Sequence, residues 1–173
     1  MKRVNILDCT LRDGGYLIDS QFGNTAIKGS IRGLTESGVD VIECGFLKDE
    51  PHQNGSTIFN NAAQIRPFLP EDRKQASYVC LADYSRYHID KLEPCDGMSI
   101  DGVRACFFKK ERYDVIPFCR SIVEKGYKLY VQPVDILGYT DRELVELIEA
   151  VNDLEPYASS IVDTFGPMYR EDL

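Results

Sequence analysis

No apolar run in the 173 residues approaches the roughly 20 consecutive positions that a bilayer-spanning helix needs. No basic cluster is larger than Lys109-Lys110, and the net charge is −8 with a pI near 4.8. That balance argues against a nucleic-acid or anionic-membrane surface as the main partner. Histidine is scarce: His52 and His88 lie far apart, so no local histidine metal motif can be built. Six cysteines (9, 44, 80, 95, 106 and 119) include no C-x-x-C pair. No signal-peptide apolar region follows Met1-Lys2-Arg3, so a cytoplasmic location and reduced thiols are expected. Cys9, Cys44, Cys80 and Cys106 fall in or just after predicted strands. They read as small buried hydrophobes rather than redox or metal groups. Linkers and low-complexity stretches are absent too, and residues 1–173 read as a single domain.

What is present is an unbroken β-α alternation. Strands are predicted near residues 4–7, 39–47, 76–82, 102–108, 127–133 and 159–163. Helices are predicted near 25–37, 58–66, 84–92, 113–125 and 140–154. Asn24 or Thr25 caps the first helix and Gly38 ends it; Gly126 closes the fourth. Thr140 and Glu143 form a capping box for the last. The strands are continuously apolar rather than alternating, so they are buried on both faces and the sheet is parallel.

Two folds satisfy that pattern, an open doubly wound sheet and the (β/α)8 TIM barrel. The strands recur about every 31 residues, so eight units need about 250, the usual barrel size. The chain then holds about six β/α units: a complete open sheet, or an incomplete barrel cut after its sixth strand. Polar residues favour the barrel. Asp8 to Asp13, Glu43, Gln132, Asp135 and Asp163 sit at or beyond the carboxyl ends of four different strands, which in a barrel face one mouth. No G-x-G-x-x-G follows the first strand, so a dinucleotide fold lacks its fingerprint.

The densest charge is in Leu7-Asp8-Cys9-Thr10-Leu11-Arg12-Asp13-Gly14-Gly15-Tyr16. Charge at the exit of a buried strand is costly unless paired or engaged with a ligand. Arg12 and Asp13 can simply pair with each other. Alternatively, Asp13 supplies a hard oxygen ligand for a divalent cation while Arg12 grips a carboxylate or a developing oxyanion. A 2-oxo acid, with its carboxylate and keto oxygens, calls for that combination. Glu43, Asp135 and Asp163 are candidate acid–base partners, and each has an equally good structural role in packing or loop capping.

Asp8-Cys9-Thr10-Leu11-Arg12-Asp13-Gly14 resembles the D-x-T-L-R-D-G signature of the metal-dependent barrel lyases and synthases. It is most similar to the 4-hydroxy-2-oxovalerate aldolase-like branch. Val41-Ile42-Glu43-Cys44-Gly45-Phe46, Val131-Gln132-Pro133-Val134-Asp135 and Val162-Asp163-Thr164-Phe165-Gly166 agree in order, so the likeness spans the chain. The resemblance implies a TIM-barrel aldolase or lyase that cleaves a 4-hydroxy-2-oxo acid to pyruvate and an aldehyde. It implies Asp13 as ligand of Mn2+ or Mg2+, Arg12 as enolate stabiliser, and Glu43 and Asp163 as active-site carboxylates. Tyr16 stands where the aldolases carry a histidine base and is expected to serve as a proton donor. The family completes its metal site with a His-x-His pair on the seventh strand, which falls beyond residue 173. The isolated chain is therefore expected to be inactive and to form homo-oligomers through open barrel edges. Two alternatives stand beside this: Claisen condensation of an acyl-CoA with a 2-oxo acid, and a non-catalytic partial barrel that self-associates.

Overall fold

The computed structural model describes residues 3–172. One parallel sheet forms its centre, built from β1 (Leu7–Asp8), β2 (Val41–Leu47), β3 (Ile58–Phe59), β4 (Ser77–Asp83), β5 (Gly102–Phe107), β6 (Lys128–Pro133) and β7 (Ala158–Ser159). The strands pair in chain order, β1-β2-β4-β5-β6-β7, and β3 adds a short parallel pairing at the carboxyl end of β2, Phe46 with Ile58 and Leu47 with Phe59. A doubly wound sheet reverses its strand order at a switch point. This order never reverses. The six sequential strands curl as a parallel half-barrel, compatible with an incomplete TIM-type barrel. Among the described residues β1 and β7 do not pair with each other, so the sheet stays open.

A short helix, α1 (Thr10–Asp13), follows β1, and three longer ones follow: α2 (Asn24–Glu36), α3 (Val115–Glu124) and α4 (Asp141–Asn152). These three match the predicted helices within one or two residues at most ends. Ile27 and Ile31 of α2 are fully buried, and each such side chain contributes about 1.5–3 kcal/mol. Both α2 and α3 end in paired backbone bonds around a left-handed glycine. Gly38 N donates to Thr35 O and Val39 N to Leu34 O, and Gly126 N and Tyr127 N repeat the pattern on Val123 and Ile122. Thr140 and Glu143 form the expected capping box. The start of α2 differs: Gly23 holds the cap position with no side-chain cap, and Asn24 donates to Asn54 instead.

The helices predicted over 58–66 and 84–92 do not form. The first region is β3 plus two 3-10 turns, Ala62–Gln64 and Arg66–Phe68; the second keeps one, Ile89–Lys91. Polar side chains have taken over the backbone groups that a helix would use. Asn60 N donates to Gln64 Oε1 at 2.7 Å, Asn60 O accepts from the Tyr87 hydroxyl, Asn61 accepts from Gln64 N, and Asp83 accepts from Ser85 N. Pro67 removes a further donor. The outermost strands are also shorter than predicted. Each has one neighbour only, and Val4, Ile6 and Ile161 are left exposed. No helix among the described residues is long and apolar enough to cross a membrane.

α2, α3 and α4 cover one face of the sheet, where Ile42, Cys44, Tyr78, Cys80, Val103, Ala105, Leu129 and Val131 meet them in the main core. Side chains alternate along a strand. The opposite face therefore carries Val41, Val79 and Tyr130, a small second cluster, together with Glu43 and Arg104.

Candidate active site

Three charged side chains meet on that second face. Glu43, at the middle of β2, is fully buried, and its two oxygens take different guanidinium groups. Arg12 of α1 donates from Nε to Glu43 Oε2 at 2.7 Å, and Arg104 of β5 donates from Nη1 to Glu43 Oε1 at 2.6 Å. The side chains of Arg12 and Arg104 are 12 % and 8 % exposed. Arg12 Nη1 also pairs with Asp13, whose side chain is 60 % exposed. The buried trio thus holds two positive charges and one negative; the fourth charge, Asp13, lies in solvent. Burial opposes the charge on Arg12, but the Glu43 carboxylate and its hydrogen bond outweigh it and raise the pKa. Arg12 stays a cation at any working pH.

Local backbone chemistry puts Arg12 there. The β2–β4 register shifts between Glu43 and Phe46, and Gly45 sits in that bulge at φ +146°. A Cβ on Gly45 would lie 2.1 Å from Thr57 O. The close approach lets Phe46 N donate to Thr57 O at 2.9 Å, while Thr57 Oγ1 donates to Leu11 O at 2.9 Å. Thr57 therefore ties the turn carrying Arg12 to the strand carrying Glu43. Asp8 accepts from Thr10 N and Oγ1 and shapes the entry to α1. Phe46 packs beside Arg12, with the guanidinium carbon 6.0 Å and Lys48 Nζ 4.5 Å from its ring centre.

The thiols around the cluster stay protonated. Burial, then Glu43, raises Cys9, and burial, then Asp83, pushes Cys106 up to about 12. Cys44, Cys80 and Cys119 are buried, and all six cysteines are free.

Of the residues singled out in the sequence, Arg12, Asp13 and Glu43 come together. Tyr16 is nearby, edge-on to Phe46 at 5.8 Å, but 69 % exposed. Asp163 is not in the cluster: it is exposed and accepts from Met168 N. Asp135, in a left-handed turn, donates its backbone N–H to Thr164 Oγ1. Arg104 is the residue that sequence reasoning missed. Its signal was present, since Gly102-Val103-Arg104-Ala105-Cys106-Phe107 sets one charge inside an apolar strand, and such a charge needs a buried partner. Arg104 Nε and Gln132 Oε1 are both buried without a hydrogen-bond partner. By register Arg104 faces Tyr130, with Gln132 two residues further along β6.

A resident Mn2+ or Mg2+ does not fit the residues present. Both ions need several oxygen ligands. Asp13 offers one carboxylate already held by Arg12, and no group of three or more His, Cys, Asp or Glu among the described residues could hold a metal.

Parallel strands in chain order, helices on one face and a charged cluster on the other describe a parallel α/β half-barrel. Among solved structures the chain is similar to the "N-terminal domain of a putative aldolase from Bacteroides vulgatus", with a TM-score of 0.57 and 15 % identity. The match covers 91 % of this chain and 62 % of that one, so the chain spans less than two thirds of that structure's length. At this identity the likeness is one of fold. No family model matches the chain, and no curated protein does.

Proposed function

We propose that this chain supplies the oxyanion-binding part of an aldolase-type lyase that splits a 4-hydroxy-2-oxo acid into pyruvate and an aldehyde. The observation that carries the reading is the guanidinium of Arg12, pinned through Nε by the buried Glu43 carboxylate. Cleavage of such an acid passes the 4-hydroxyl proton to solvent water and breaks the bond between C3 and C4. The aldehyde leaves, and the electron pair passes to the pyruvate enolate, which is then protonated at C3. Arg12 binds the carboxylate of the acid and stabilises the enolate oxygen in a site of low dielectric. Tyr16 donates a proton from the mouth. One carboxylate is not a cation site, so the work assigned to these residues is that of the guanidinium and the phenol.

Pyruvate release from 4-hydroxy-2-oxopentanoate by the protein that carries this chain tests the reading. The Arg12→Ala variant is expected to lose on the order of a hundredfold in rate, as when one oxyanion donor is removed. A variant that keeps the full rate refutes it.

A self-associating partial barrel is the second reading. It is favoured by the outer edges of β1 and β7, unpaired among the described residues, and by exposed Ile148 and Ile161, which line one cavity with Ser159 of β7. Light scattering that shows a monomer at every concentration refutes it.

A further inference from the structure

We propose that Arg104 is the positioning residue for Arg12, acting through Glu43. Arg12 sits on a helix of four residues that has no side-chain cap, so its own element holds it weakly. Arg104 belongs to a central strand paired on both sides, with β4 and β6, and is nearly fully buried. Glu43 connects the two. The last torsion of a glutamate is soft and roughly two-fold, so a single bond to one oxygen leaves the carboxylate free to turn. Arg104 Nη1 on Oε1, at 2.6 Å, removes that freedom and points Oε2 at Arg12 Nε, 2.7 Å away. The rigid sheet in this way sets the orientation of a guanidinium carried by a short turn.

The test compares wild type with Arg104→Met by NMR. The Arg12 Nε–H resonance, protected by Glu43 in the wild type, is expected to exchange at least about tenfold faster in the variant, relative to the Val103 backbone amide. That ratio separates loss of orientation from general loss of stability. Arg104→Lys keeps a cation on Oε1 and is expected to restore most of the protection. Should Arg104→Met fail to fold, Arg104→Ala, which also removes the donor to Oε1, takes its place with the same readout. An unchanged ratio in the variant overturns the proposal.

A second readout rests on the assignment of Arg12 to a 2-oxo acid. Pyruvate affinity is expected to fall roughly tenfold in the variant, since small misplacement of a binding group is costly. If wild type does not bind pyruvate while the exchange ratio changes, the assignment of ligand fails and the positioning role stands. If pyruvate binds equally to both proteins, the positioning role fails.

Discussion

Replacement of Glu43 by glutamine keeps the side chain's shape and removes its charge. In the folded chain that charge is fully buried and compensates two guanidinium groups that are themselves 12 % and 8 % exposed. Removing one member of a buried ion pair typically costs about 3–5 kcal/mol, because the partner is left uncompensated. Here Arg104 loses its carboxylate and Arg12 keeps only the exposed Asp13, so Glu43→Gln is expected within that range. Domains of this kind have about 5–15 kcal/mol in total, so the loss is a large share of the stability. Arg104→Met is milder, about 1.5–3 kcal/mol for one charged hydrogen bond, because Glu43 keeps Arg12. Urea unfolding followed by circular dichroism at neutral pH measures both. The order is the sharp part: Glu43→Gln must cost more than Arg104→Met. A glutamine variant within about 0.5 kcal/mol of wild type, inside the range of ordinary surface changes, would refute the claim that Glu43 neutralises this face of the sheet.

Gly45→Ala is expected to cost about 2–3 kcal/mol, because the added Cβ must displace Thr57 O at a bulge. Gly38→Ala, where φ is +79° and nothing lies within 4 Å, should cost about 1–2 kcal/mol from the left-handed conformation alone; equal costs by urea unfolding would contradict the difference. Lys109 and Thr140 hold Glu143 down at about 2. A depressed carboxylate stabilises the fold above its ordinary value of 4.5 and loses that contribution as pH falls toward 2. The melting-temperature gap between wild type and Glu143→Gln should therefore be constant above pH 5 and close by pH 2; a gap that persists at pH 2 would contradict the assignment.

The order of the long strands was legible because β2, β4, β5 and β6 are each largely apolar and buried. α2, α3 and α4 were legible because each combines an apolar stripe with a local stop or start signal. The segments after β2 and β4 misled, since their outcome turns on contacts between distant residues. Asn60 reaches back to Lys48 and Glu50, and Tyr87 donates its hydroxyl to Asn60 O. At the site, Arg12 and Glu43 could be found because each is a charge beside or inside an apolar strand. Arg104 obeys the same rule and was open to the same inference. The separation of Asp163 from the cluster could not be read, because β7 is only two residues long and the loop beyond it turns its carboxylate to Met168 N.

The guanidinium of Arg12 as the binding group for a 2-oxo acid is tested most directly by titrating pyruvate while following the arginine side-chain resonances. Saturable shifts at Arg12 are expected with pyruvate and not with acetone, which lacks the carboxylate. Shifts of equal size at the exposed Arg66 and Arg86, or none at Arg12, would contradict the assignment.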